Sequence, residues 1–140
     1  MTETIAFDVP ALSSRSRSAV SAVWDNIVQP PVTSRGEVPW HGDAVTPEWI
    51  TQVIGAGRPG AQAIKLTRIG GDNGSSARRI IEVEWNDAGK ASGLPARLFT
   101  KSTPTLAMRL SAGRAAPAEG QFLLQLRPLV PIEAPRCLYS

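Results

Sequence analysis

The chain has 140 residues, 42% hydrophobic and 19% charged, which fits one folded domain and excludes both a second domain and a wholly disordered chain. A net charge of +3 and a sequence pI near 9.6 raise the question of nucleic-acid binding. No apolar run approaches the roughly 18 residues of a membrane span, the opening MTETIAFDVP lacks the basic and apolar parts of a signal peptide, and Cys137 is the single cysteine, so neither an internal disulfide nor a cysteine-rich zinc site can form. The sequence therefore predicts a cytoplasmic protein with no membrane contact.

Residues 1–12 carry Pro10 and no periodicity, and read as a loose arm. Ser13 or Ser14 can cap a helix whose apolar positions, Ala19, Val20, Val23, Trp24, Ile27 and Val28, have helical spacing. Pro30-Pro31 stops it, and residues 30–46, rich in proline and glycine, read as a linker. Thr46-Pro47-Glu48-Trp49 combines an N-cap, a proline at the first helical position and an acidic first turn, so a second helix is predicted over 47–54, closing at Gly55. The period then changes from helical to two. A strand is predicted near 62–69, a glycine-rich turn or loop over Gly70–Ser76, and a strand over 79–85, where Ile81, Val83 and Trp85 alternate with Glu82 and Glu84. Residues 86–95 read as a polar connection, 96–101 (ARLFTK) as a third strand and 104–113 as a loop. A helix near 117–126 follows, ended by Pro128 and Pro131, with a last strand at 132–139. The predicted fold is α+β: a twisted antiparallel sheet with a packed helix, preceded by two N-terminal helices. The expected division is an arm, helix and linker over 1–46 and a sheet-bearing region over 47–140.

Several motif matches carry no chemistry. The 15 basic residues are scattered singly or in pairs such as Arg78-Arg79, and Trp24, Trp40 and Trp49 lie where basic residues are few. Nucleic-acid surfaces cluster cations with stacking aromatics, so no nucleic acid is expected as a partner. Gly55-Ala56-Gly57-Arg58-Pro59-Gly60 satisfies G-x-G-x-x-G. A dinucleotide site needs a strand before that motif and a helix after it; here a helix precedes and a strand follows, so the segment reads as a helix stop and turn. Asn73-Gly74-Ser75 is a glycosylation sequon with no export signal. His41 stands in the linker without a partner at ligand spacing and reads as a solvated loop histidine. No metal site is predicted.

Lys101 and Glu119 carry more weight. Phe122, Leu123 and Leu126 share a helix face, and Glu119 stands three, four and seven residues ahead of them. An unpaired carboxylate beside a buried stripe is costly. Glu119 can escape by lying in the first turn, stabilised by the helix dipole, or by pairing with a cation from the sheet. Lys101 ends the strand ARLFTK on the side of Phe99 and is the obvious partner. A solvated strand end for Lys101 and a first-turn dipole partner for Glu119 are the plainer alternatives.

The order strand, glycine-rich loop, strand, strand ending in lysine, helix bearing glutamate resembles the N-terminal lobe of the protein-kinase-like fold. Gly93-Leu94-Pro95-Ala96-Arg97-Leu98-Phe99-Thr100-Lys101-Ser102, Ala118-Glu119-Gly120-Gln121-Phe122, Thr46-Pro47-Glu48-Trp49-Ile50 and Glu133-Ala134-Pro135-Arg136 look more closely like the aminoglycoside phosphotransferase and ecdysteroid-kinase-like branch. The resemblance spans residues 40–140 and rests on order and spacing. It implies that Lys101 contacts the phosphates of ATP and is held by Glu119. It also implies that Gly70, Gly71, Gly74, Ser75 and Ser76 belong to a nucleotide-covering loop, and that Phe99, with Ile69 and Ile81 or Val83, lies near the adenine. The loop departs from the protein-kinase glycine pattern, which leaves its individual contacts open.

In that family the catalytic loop and a metal-binding aspartate lie in a second, larger lobe, so magnesium is expected only in a longer enzyme. His41-Gly42-Asp43 imitates the start of the catalytic loop, but it precedes the glycine loop and has Glu48 where an asparagine belongs; it reads as coincidence. Three readings follow. One is the ATP-binding N-lobe of a small-molecule phosphotransferase, inactive alone, binding Mg-ATP at millimolar level or weaker and truncated before the catalytic lobe. Another is a stand-alone interaction module that uses the exposed lobe face for a missing C-lobe, a partner or self-association. The third is an unrelated small α+β protein.

Overall fold

The computed structural model describes residues 13–29, 31–112 and 115–140; the arm predicted over 1–12 lies outside them. It is an α+β fold built on one three-stranded antiparallel sheet in the order β1-β2-β3. The strands are β1 (Ala63–Asn73), β2 (Ala77–Trp85) and β3 (Arg97–Ser102).

Two helices precede the sheet. Helix α1 (Ser14–Val28) is capped by Ser13, whose hydroxyl accepts from the Ser16 amide at 3.2 Å. Helix α2 (Pro47–Val53) is capped by Thr46, which accepts from the Trp49 amide, with Pro47 in the first turn where no amide donor is needed. Trp49, Ile50 and Val53 share one face of α2 and are buried against the sheet. The core consists of these three with Val32, Ala63, Ile81, Val83, Trp85 and Leu98. In β2 the period-two pattern holds: Ala77, Ile81, Val83 and Trp85 are buried, while Arg78, Glu82 and Glu84 face solvent.

Elsewhere the structure corrects the sequence reading. The expected loop over 70–76 is a tight turn at 74–76, because β1 continues through Gly70 and Gly71 to Asn73. Ile69 is skipped in the pairing: Arg68 lies opposite Ile81, and Gly70 lies opposite Ile80. Such a bulge reverses which residues face outward, so Asp72 reaches the same side as Arg78. The predicted polar connection at 86–95 contains α3 (Asp87–Ala91), and the predicted loop at 104–113 contains α4 (Leu106–Ala112).

The linker predicted over 30–46 is, over its described residues 31–46, a strap over the sheet. Val32 forms a parallel bridge with Val45 and enters the core, and a 3-10 turn at Gly42–Ala44 packs on β2 and β3. The last strand predicted at 132–139 is irregular chain.

The helix bearing Glu119, α5 (Ala115–Gln121), is not the one that packs on the sheet; α2 does that, and α5 packs mainly on the π turn that follows it, Phe122–Leu126. A π turn adds a residue and rotates the side chains beyond it out of α-helical register. Phe122 and Leu126 are exposed accordingly. Helix α1 is likewise turned around. Its apolar residues Val20, Val23, Trp24, Ile27 and Val28 are exposed, and its polar side docks on α4. There Arg109 bonds Asp25 and Ser21, and Asn26 donates to the Pro104 carbonyl at 3.2 Å.

Candidate functional site

The outer face of the sheet, opposite the core, carries Lys101, singled out from the sequence, beside two charged residues that were not. Lys101 and Arg78 are direct partners across β2 and β3, and Arg78 and Asp72 are partners across β1 and β2. Directly opposed residues of antiparallel strands project to the same side. Lys101 forms an ion pair with Glu119 of α5, and Arg78 Nε donates to Asp72 Oδ1 at 2.7 Å. The row therefore runs Asp72, Arg78, Lys101 across the three strands, with Glu119 paired to Lys101: two adjacent cations, each bonded to one carboxylate.

One step along the strands comes an apolar row. Phe99 lies opposite Ile80, and Ile80 opposite Gly70, which adds no side chain. Phe99 is 57% exposed. A further step reaches a shallow groove of about 520 Å³ lined by Lys65, Thr67, Glu82, Glu84 and Arg97. The face thus offers cations beside the hairpin turn, a flat apolar strip next, and polar groups beyond.

The remaining predicted residues form the hairpin end. Gly71 has φ +144°, and a Cβ there would stand 2.1 Å from the Arg78 carbonyl oxygen. Gly74 donates its amide to the Ser76 carbonyl at 3.0 Å, so that amide is spent inside the turn. Ser76 is buried and Ser75 exposed. Sequence reasoning missed Arg78 and Asp72. The alternation of β2, counted back from Trp85, places Arg78 outward, but nothing in the sequence signals the bulge that brings Asp72 alongside.

The core side of the same hairpin holds a second charged cluster. The Arg79 side chain is 12% exposed. It donates to Asp43 Oδ1 at 2.9 Å, Asn73 Oδ1 at 3.0 Å and the carbonyls of Asp72 and Arg78 at 3.1 and 2.7 Å. Arg68 also bonds Asp43, at 2.9 Å. His41 is buried, not solvated as the sequence suggested; the strap holds it over Arg79, where Gly42 fits because a Cβ would meet Thr100 Oγ1 at 2.4 Å.

The His41 Nε2 lies 3.2 Å from Arg79 Nη2. A guanidinium only donates, so this contact calls for a lone pair on Nε2, whereas the ring's other nitrogen has both a donor and an acceptor beside it. The Asp43 carboxylate lies 3.0 Å from Nδ1, and the Asp43 amide approaches the same atom at 3.1 Å. His41-Gly42-Asp43 is thus a structural clasp.

Burial, above all, holds the His41 pKa below its ordinary 6.5; Arg79 and Arg68 add to this and Asp43 opposes it. Stability should then be complete above about pH 6.5 and decline as the pH falls through the window below it, because the unfolded chain binds a proton that the folded one refuses. Urea midpoints at pH 7.5 and 5.5 test this. The decline should be smaller in His41→Asn, and an equal decline in both proteins excludes His41 as its source.

A cavity of about 530 Å³ lies between α1 and the strap, lined by Asn26, Trp40, His41, Asp43, Pro104 and Met108 among others. It contains none of the sequence-predicted site residues; among its lining residues Asn26 bonds the Ala22 and Pro104 carbonyls and Asp43 bonds Arg79, while the buried Trp40 Nε1 has no partner among the described residues. No group of three His, Cys, Asp or Glu side chains converges to hold a metal among the described residues. Nor is any helix among them long and apolar enough to cross a membrane. Comparison with known protein families, with curated proteins and with solved structures finds no match to any of them.

Proposed function

We propose that the outer face of the sheet binds ATP, and that the chain is the nucleotide-binding N-lobe of a small-molecule phosphotransferase of the aminoglycoside phosphotransferase-like kind. The observation that carries this reading is the ion pair between Lys101, at the end of β3, and Glu119, eighteen residues on in α5. A carboxylate that holds a lysine on an open sheet face leaves the ammonium's other protons for phosphate oxygens. The neighbouring Ile80 and Phe99 row supplies apolar area for a base, the usual composition of a nucleotide site. Neither magnesium nor phosphotransfer is assigned to the described residues, since the carboxylates of the row, Asp72 and Glu119, are engaged by Arg78 and Lys101. One open wall buries little of a ligand, so affinity should be millimolar or weaker.

Titration of the ¹⁵N-labelled chain with ATP tests the reading. Saturable shifts should centre on 78–80 and 99–101 and weaken in Lys101→Gln. Shifts absent at about 10 mM ATP, or unaltered by that substitution, refute it. Lys101→Gln and Glu119→Gln should each leave the urea midpoint almost unchanged, because a pair about half exposed contributes about 0–1 kcal/mol.

The exposed apolar stripe of α1 favours a second reading, an interaction module. A concentration-dependent sedimentation coefficient abolished by Trp24→Glu would support it; a constant monomer would count against self-association.

A further inference from the structure

We infer that Arg78 is a second phosphate-binding cation of this face, so that the site takes a chain of two or more phosphates and not a single one. The inference rests on the nucleotide reading and adds to it a residue and a preference. Arg78 and Lys101 are directly paired across β2 and β3, a position where like charges repel. Asp72 flanks Arg78 on the β1 side, away from Lys101, and Glu119 pairs with Lys101. The gap between the two cations is therefore where an anion relieves the most repulsion.

The Asp72 carboxylate engages Arg78 through Nε. Among the described residues, no acceptor holds the terminal Nη1 and Nη2 groups. They form a fork of donors suited to two phosphate oxygens, while Lys101 beside them offers a compact charge with three donors. Two different cations one strand apart suit adjacent phosphates of a chain. A single phosphate would have to share its oxygens between both cations, whereas a chain offers each its own phosphate. The Ile80 and Phe99 row begins two residue pairs further along, the next on the same face, so a base attached to that chain reaches apolar surface without crossing the ion pairs.

The plain alternative is that Arg78 only clips the hairpin through Asp72, and three variants separate the two. ATP, tripolyphosphate and adenosine are titrated separately into the full ¹⁵N-labelled chain, with urea midpoints recorded for each variant. Arg78→Gln should weaken ATP and tripolyphosphate about tenfold, the worth of a charge-assisted hydrogen bond, and leave adenosine unchanged. Asp72→Asn should leave ATP binding equal or tighter, since it removes a competing anion; a clip predicts that it resembles Arg78→Gln. Arg78→Lys, which keeps the charge and the fold, should recover part of the affinity. Unchanged ATP binding in Arg78→Gln with weakened binding in Lys101→Gln overturns the role of Arg78 and spares the nucleotide site. No saturable response to ATP or tripolyphosphate in any variant or the parent overturns both.

Discussion

Ile50→Ala is expected to destabilise the protein by about 2–5 kcal/mol, the range for emptying a packed aliphatic site. Ile50 is 1% exposed and the largest fully buried side chain among the described residues. It lies in the middle of α2, in the layer where α2 closes the core face of the sheet. The urea midpoint should fall with the slope unchanged, the mark of lost stability rather than an altered unfolded state. Val20→Ala on α1 provides the contrast. Val20 is 59% exposed, and such surface changes stay within about 0.5 kcal/mol. Equal losses at the two positions would mean that α1, not α2, closes the core.

That contrast marks a limit of reading a sequence. Spacing identifies α1 as a helix, since Val20, Val23, Trp24, Ile27 and Val28 recur with its period. The same spacing does not say what covers the stripe. Here Asp25 and Arg109 dock the polar side, a pairing 84 residues apart that no local pattern encodes. In β2 the inference from sequence to side is secure because one strand face must be dry: Ile81, Val83 and Trp85 leave no choice. In α2 the cap chemistry of Thr46 and Pro47 fixes the start, and the apolar face fixes the rest.

The candidate site divides in the same way. Lys101 and Phe99 follow from strand parity, and the meeting of Lys101 with Glu119 from the order of elements. The buried stripe expected beside Glu119 does not form, since Glu119 and its neighbours Ala118 and Gln121 are exposed and Phe122 and Leu126 turn outward past the π turn. The glycines over 70–76 read as loop because composition cannot distinguish a loop glycine from a strand glycine needed for close approach. Arg79 and His41 gain their roles only through the strap, whose proline and glycine content suggested a linker without contacts.

Gly71→Ala should cost about 3 kcal/mol or more, combining a disfavoured φ with a backbone collision. Gly71 has φ +144°, and the added methyl would lie 2.1 Å from the Arg78 carbonyl oxygen and 3.0 Å from Arg79 Cα. Those atoms belong to the partner strand, so they cannot retreat without opening the ladder between β1 and β2. Gly57→Ala isolates the conformational part. Gly57 has φ +76° with nothing within 4 Å, so its cost should be the left-handed penalty alone, about 1–2 kcal/mol. The excess at Gly71 measures the collision, and it has a consequence at the site. The register after Ile69 is what sets Asp72 opposite Arg78; if the added methyl forces the strand to slip by one residue, Asp72 turns to the core face and Arg78 loses its outer carboxylate. In the ¹⁵N spectrum Gly71→Ala should therefore shift Asp72 and Arg78, whereas Gly57→Ala leaves both in place. If Gly71→Ala proves no more costly than Gly57→Ala and leaves those two signals unmoved, the close approach at Gly71 does not hold the register of the charged row.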